Sequence, residues 1–319
     1  MSKGTKVSKP TGGHTSVSNQ DEDGTLNIES DFFITKPVSE NPSEGKDHKI
    51  DKTGSDGTEL IAGEMTSFAS TEVMPSAPDM THLPDIGEAS FGITSEIVHG
   101  VDNRIQITNT SVYPWRVHAS LLITARDNSK WVGTGWFIGP HTLATAGHVV
   151  YIKNSGVPGR DGWVRNIIVM PGRNGSTLPY GAVTSTNFRS VTGWTNNGNE
   201  NYDYGAIILP SDLGNSTGWF GFGVYSDSDL LASIGNISGY PADKPTGTQW
   251  YDHHKIASVN SRKVYYDIDT YGGQSGSAVY RIKNGGHYGI AIHAYGGTTT
   301  NSGTRIVTPV FENLRAWKA

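Results

Sequence analysis

An all-β fold is predicted for residues 97–306, and three features of the chain carry that prediction. Short β-branched or aromatic runs recur along it, Gly-, Asn- and Pro-rich punctuation separates them, and the one convincing helical pattern is confined to the C-terminus. The strands read in order. Arg116-Val117-His118-Ala119-Ser120-Leu121-Leu122-Ile123-Thr124 is the first long run, and Thr142 to Ala146 is a short apolar one. Asn166 to Met170, Ala206 to Leu209 and Tyr288 to His293 follow. Arg173-Asn174-Gly175 and Asn284-Gly285-Gly286 are turn formers, because Gly and Asn tolerate the left-handed backbone that tight turns need. At the end, Thr308 can cap a helix and Pro309 suits its first position. Val310, Phe311, Leu314 and Trp317 then share an apolar face, which predicts a helix over about 308–318. No repeat of 20–50 residues is present.

Composition changes abruptly near residue 97. All 8 Trp and all 14 Tyr of the 319 residues lie beyond Glu96. Residues 1–96 carry 7 Lys/Arg against 17 Asp/Glu, a net charge of −10, whereas residues 97–319 carry +5. Low hydrophobicity with high charge cannot bury enough apolar surface to offset ordering entropy, so residues 1–96 read as a largely disordered leader or pro-segment. A folded domain is expected at 97–319, with a first barrel at about 97–212 and a second at about 213–306. No run of about 18 apolar residues is present, so no membrane span is expected. Met1 to Lys6 has early positive charges with no apolar core behind them, so no signal peptide is visible in this numbering. Cysteine is absent, which leaves no disulfide and no thiolate metal site.

Two short words carry the chemistry. Thr145-Ala146-Gly147-His148 sets a histidine straight after a strand, and Gly272-Gly273-Gln274-Ser275-Gly276-Ser277 wraps a serine in small residues. A serine hydroxyl is a poor nucleophile until a base takes its proton, and histidine is the base suited to neutral pH. A carboxylate must hold that histidine. Asp203, in Asn201-Tyr202-Asp203-Tyr204-Gly205-Ala206, lies between the two in sequence. The order His, Asp, Ser is that of the chymotrypsin-like double β-barrel rather than of α/β-hydrolases or subtilisins. In that arrangement His148 takes the Ser275 proton, Asp203 orients the ring, and the N–H groups of Gly273 and Ser275 form the oxyanion hole. His253 and His254 beside Asp252 are not expected to bind metal, since neighbours on a strand point to opposite faces.

From about Ile97 onward the chain resembles the bacterial glutamyl endopeptidases, a secreted branch of the chymotrypsin-like proteases. The shared words include Asp102-Asn103-Arg104, Thr108-Asn109-Thr110, Thr134-Gly135-Trp136-Phe137-Ile138-Gly139-Pro140 and Pro171-Gly172-Arg173-Asn174-Gly175. Ser238-Gly239-Tyr240-Pro241, Gly247-Thr248-Gln249-Trp250 and Asp269-Thr270-Tyr271-Gly272-Gly273-Gln274-Ser275 continue the series in family order.

The resemblance implies a serine endopeptidase cutting after Glu, more weakly after Asp. Thr270 stands where trypsin-like members place an Asp, and with His293 it inherits the role of binding the substrate carboxylate. Ile97 aligns with the family's mature N-terminus, so a cut between Glu96 and Ile97 would free an α-amine that helps bind that carboxylate. Gln274 cannot make the ion pair by which trypsin activates, so activation must differ. Some relatives bridge two cysteines where Gly133 and Val149 stand here. The resemblance also implies secretion. Protein and peptide substrates are expected, with no cofactor, metal, nucleic acid or membrane partner, and a monomeric state. Two other readings stay open: a catalytically silent binding protein on a protease scaffold, and an active protease of this fold with a non-acidic preference.

Overall fold

In a computed structural model, which describes residues 12–21, 77–90 and 96–318, the strand runs pair into two large, mostly antiparallel sheets and a two-stranded one of Tyr151–Ile152 and Gly162–Trp163. The 8-stranded first sheet runs Ser16–Ser18, Asn187–Val191, Gly205–Ile208, Thr142–Thr145, Lys130–Phe137, His118–Thr124, Asn166–Pro171, Val183–Ser185. The second sheet has 9 strands. Its main path runs Ser258–Val259, Lys263–Tyr266, Asn301–Arg305, Gly286–Tyr295, Ala278–Lys283, Ile234–Gly239, Gln249–Lys255, Ile105–Ile107. Gly221–Phe222 adds a short parallel pairing to Gly286–Tyr295. The architecture is the chymotrypsin-like double barrel that the residue order predicts.

Burial explains why these runs hold. Leu121, Ile123, Phe137, Leu143, Ile167, Phe188 and Ile207 fill the inside of the first sheet, and all are fully buried. Ile237, Val264, Tyr266, Ile268, Val279 and Ile290 do the same for the second. Each such side chain contributes about 1.5–3 kcal/mol when removed from water, so packing alone can hold a domain without disulfides. The helix Thr308–Lys318 lays Val310, Phe311, Leu314 and Trp317 on the larger core, as its apolar face predicts. The Thr142 hydroxyl ties that helix to the first sheet by donating to the Trp317 carbonyl at 2.9 Å.

One strand crosses over. Ile105–Ile107 precedes every strand of residues 97–212 yet pairs with Gln249–Lys255 in the second sheet. Arg104, buried beside it, bridges Asp102 and Asp243, so the Asp102-Asn103-Arg104 word fastens this crossing.

Two pieces of the leader lie on the barrels. Ser16–Ser18 pairs antiparallel with Asn187–Val191, and buried His14 bonds the Tyr204 hydroxyl at 2.9 Å. Residues 77–90 cross the other end of the first sheet, where Met80 packs with Leu122, Val132, Met170 and Leu178. The expectation of a largely disordered leader otherwise falls on residues 1–11, 22–76 and 91–95, which lie outside the described residues.

Candidate active site

Strand register brings His148 and Asp203 together. Thr145 pairs with Gly205, so the residue three beyond the one and the residue two before the other leave the same end of the ladder. A four-residue helix, Gly147–Val150, then turns His148 back over the sheet. The Asp203 carboxylate accepts from the His148 backbone N–H and contacts His148 Nδ1, each at 2.8 Å. Gly147 permits this approach, since a Cβ there would stand 2.8 Å from Asp203 Oδ1 and 3.0 Å from the Trp194 ring.

Both groups are completely buried, and their charges decide their titration. Burial works against the His148 imidazolium. The Asp203 charge and hydrogen bond, with Asp85 and Glu96 beyond, outweigh it and raise the His148 pKa. Burial likewise penalises the Asp203 carboxylate. The His148 charge and hydrogen bond, with a further bond from Tyr295, overcome that and hold its pKa below the usual range.

The serine turn is held between the sheets. The Gly276 N–H donates to the His293 carbonyl at 2.8 Å, and the Thr134 N–H donates to the Ser275 carbonyl at 3.0 Å. Gly273 has φ of +101°, a conformation glycine adopts without strain, and its carbonyl accepts from the Thr134 hydroxyl at 2.8 Å. Gln274 braces the same turn, accepting the Tyr271 N–H on Oε1 at 3.1 Å.

The Ser275 hydroxyl does not bond His148. It donates to Oε1 of Glu96 at 2.8 Å, and His148 Nε2 is buried without a hydrogen-bond partner. The same Glu96 oxygen stands 3.3 Å from His293 Nε2, where the ring N–H is not aligned for a hydrogen bond. Glu96 is 4 % exposed and His293 is fully buried. The Tyr266 hydroxyl meets the other ring nitrogen of His293 at 2.6 Å. The Thr270 hydroxyl is buried beside this pocket without a partner. Ile97 lies next to it: its N–H donates to Asn301 Oδ1 at 3.1 Å, its carbonyl accepts from Asn301 Nδ2 at 2.7 Å, and the Thr270 N–H approaches the same carbonyl at 3.4 Å. The expected site residues therefore fall in one place, and the Ser275–His148 bond is the one link not made.

Three functional-looking residues were not visible in the sequence. The Tyr295 hydroxyl donates to Asp203 Oδ2 at 2.6 Å. A register shift between His293 and Tyr295 breaks the ordinary alternation, so the strand sends His293 to the pocket and Tyr295 to Asp203. Asn301, from the neighbouring strand, holds Ile97 at both its polar backbone atoms. Asp85, from the leader, lies on the serine turn, its Cβ 2.9 Å and its Oδ2 3.3 Å from where a Cβ on Gly272 would stand. Burial, then the Glu96 carboxylate, push the Asp85 carboxyl up to about 7, against the pull of His148 and the Gly273 and Gly87 N–H groups. The sequence signal for Asp85 would have been an acid in a leader; acids are common there, and nothing marked this one.

Among the described residues no group of three or more His, Asp or Glu is gathered where it could hold a metal ion. Among those residues, no helix is long and apolar enough to cross a membrane.

No protein-family model matches the chain. A glutamyl endopeptidase of Bacillus licheniformis is 39% identical over 292 residues, covering 88% of this chain and 87% of that protein. A Bacillus subtilis protein named extracellular metalloprotease is 42% identical over 220 residues, 68% of each chain. Among solved structures, a Glu endopeptidase in complex with MPD superimposes with a TM-score of 0.61 at 28% identity, covering 70% of this chain and 99% of that one. The protease Anisep from Arthrobacter nicotinovorans, 19% identical, shares the fold at a TM-score of 0.54 over 65% of this chain and 98% of its own. A likeness running through most of both chains, on the same double barrel, goes far beyond a shared turn. This chain belongs to the glutamyl endopeptidases, serine endopeptidases of the chymotrypsin-like fold that act on protein and peptide substrates.

Proposed function

We propose that this enzyme is a glutamate-specific endopeptidase made as a proenzyme, and that His148, Asp203 and Ser275 are its triad. One observation carries the reading: the chain places its own Glu96 side chain between Ser275 and His293, with the carboxylate buried. A pocket that accepts a buried glutamate is one in which a substrate glutamate can be held. His293 Nε2 and the unpartnered Thr270 hydroxyl supply two donors, and a carboxylate that satisfies both removes the cost of leaving them buried and unpaired, about 1–3 kcal/mol each.

In the reaction, His148 takes the Ser275 proton as the hydroxyl attacks the carbonyl, then gives it to the leaving amine. Asp203 holds the ring and favours the imidazolium. The N–H groups of Gly273 and Ser275 receive the negative charge that forms on the carbonyl oxygen. Asp is the weaker substrate because its shorter side chain leaves the carboxylate short of His293.

The uncut chain suits a proenzyme. Its serine hydroxyl is engaged by a side-chain carboxylate and its base lacks the serine. A cut between Glu96 and Ile97 frees an amine on a residue already tethered by Asn301 and Thr270, close to the pocket, where its charge strengthens carboxylate binding. Because Ser275 Oγ bonds the Glu96 carboxylate in this state, the cut is made by a second enzyme molecule. The Bacillus licheniformis relative matches over more residues than the 223 beyond Glu96, so the likeness enters the leader. We also assign the enzyme to the extracellular space, as its family resemblance implies, and to a monomeric state.

The test has two arms. Digestion of one unfolded protein, with every cleaved bond read by mass spectrometry, should show cuts after Glu, fewer after Asp. Equal cleavage after Lys or Leu refutes the pocket. N-terminal sequencing of active material should read from Ile97, and Glu96→Gln in the Ser275→Ala background should resist a trace of active enzyme. Full activity with residues 1–96 still attached refutes the proenzyme.

A further inference from the structure

The catalytic domain has a free sheet edge next to the serine, and the leader is lying on it. The strand Lys130–Phe137 pairs from Lys130 to Trp136 with His118–Thr124, but with Thr142–Thr145 only at Trp136 and Phe137. At Val132 the unpaired side is taken by the leader: the Val132 N–H donates to the Pro84 carbonyl at 3.0 Å, and Asp85 forms a parallel bridge with Val132. An exposed edge of this kind binds extended peptide through the backbone and selects it by side-chain pockets.

Here the selecting contacts are specific. Met80 is buried among Leu122, Val132, Met170 and Leu178. Ile86 and Ala89 are buried in the larger core, with Ile86 packed above Gly133. Ser90 Oγ accepts from the Lys153 N–H at 3.1 Å. Asp85 lies on Gly272, next to the Gly273 amide assigned to the oxyanion hole, with its Cβ 2.9 Å and its Oδ2 3.3 Å from where a Cβ on Gly272 would stand. None of these contacts passes through the bond between residues 96 and 97.

We infer that residues 77–90 are a second, separable inhibitor: an acidic peptide that stays in the groove after the chain is cut at Glu96, with Asp85 lying over Gly272 beside the serine. This rests on the proenzyme reading and adds a stage to it. Cutting frees the Ile97 amine, but turnover begins only when the leader leaves the edge or is destroyed. The occupant is this chain's own segment, and the groove's chemistry fits any extended peptide that carries an aliphatic anchor next to a carboxylate.

The experiment uses the chain cut at Glu96–Ile97 and assayed on a Glu ester, first with the leader still associated and then after its removal by gel filtration. Removal should raise the rate at least tenfold. A synthetic peptide of residues 77–90 added back should inhibit competitively, and its Asp85→Ala version should be at least tenfold weaker, as should an Ile86→Asp version. Equal rates before and after removal overturn the inference, as does an Asp85→Ala peptide as potent as the original. A cut, leader-bound enzyme that is fully active while the uncut chain is silent overturns this inference alone. An uncut chain as active as the separated enzyme overturns the proenzyme reading.

Discussion

The hydroxyl of Ser275 donates to the Glu96 carboxylate at 2.8 Å, while His148 Nε2 has no hydrogen-bond partner. One acidic side chain from the leader holds the Ser275 hydroxyl that the proposed triad would give to His148. A serine hydroxyl so engaged is not bonded to the imidazole that would activate it. The uncut chain should therefore react with a serine-directed phosphonylating reagent at least a hundredfold more slowly than the cut, leader-free enzyme. Comparable rates in stopped-time labelling would contradict this arrangement.

Ser275→Ala and His148→Ala should each lower peptide hydrolysis by on the order of 10⁴–10⁶ in cut material, and the double variant should be little worse, since the groups act as one unit. Steady-state kinetics decide it. A Ser275→Ala enzyme that keeps a tenth of the activity would show that another residue is the nucleophile.

His293→Ala should cost Glu peptides far more than it costs an ester too reactive to need the pocket. The lost donor leaves a substrate carboxylate buried beside an unpartnered Thr270 hydroxyl, at about 1–3 kcal/mol or roughly 10–100-fold in kcat/KM. Equal losses on both substrates would assign His293 to packing.

Tyr295→Phe removes one of the donors that keep Asp203 ionised in a fully buried place. We expect about a tenfold fall in kcat with KM little changed, consistent with one lost hydrogen bond to a charged group. Asp203, relieved of one donor, then holds the His148 imidazolium more strongly, so the ascending limb of the pH–rate profile moves to higher pH. A fall in KM-limited rate without that shift would make Tyr295 a merely structural contact.

Leader binding should weaken with rising pH. Docked Asp85 keeps its proton to about pH 7, whereas a free aspartate loses it near pH 4. Its contribution to docking is thus complete below about pH 4 and is lost as pH rises through about 7. The groups facing it are Glu96, His148 and the Gly273 and Gly87 amides; His148, raised in the docked state, pulls in the same direction. The leader 1–96 should bind Ser275→Ala enzyme at least tenfold more tightly at pH 5 than at pH 8, and Asp85→Asn should flatten that dependence. Calorimetric affinities that rise toward pH 8 would refute it.

The fold, and the words that hold the three residues proposed as a triad, were legible in the sequence because both are written locally. A strand of β-branched residues, a turn of Asn and Gly, and the helix face of Val310, Phe311, Leu314 and Trp317 need only near neighbours to declare themselves. The Thr-Ala-Gly-His and Gly-Gly-Gln-Ser-Gly-Ser words likewise carry their chemistry in adjacent residues. Tyr295 escaped because its role depends on a register shift two residues after His293, which no alternation pattern can announce. Ile105–Ile107 escaped because a strand's sequence says that it pairs, not with which sheet.

The amino-acid sequence by itself determined an all-β serine endopeptidase fold, and it pointed to His148, Asp203 and Ser275 in that order, to Thr270 and His293 by resemblance, and to an acidic segment ahead of Ile97. Tertiary structure alone decided what the leader does there. Glu96 reaches Ser275 across 179 positions of chain, and Asp85 lies on Gly272 across a similar span. Contacts that distant are set by which edge of a sheet is left unpaired and which donors are left unsatisfied, and those are properties of the folded surface rather than of any stretch of the chain.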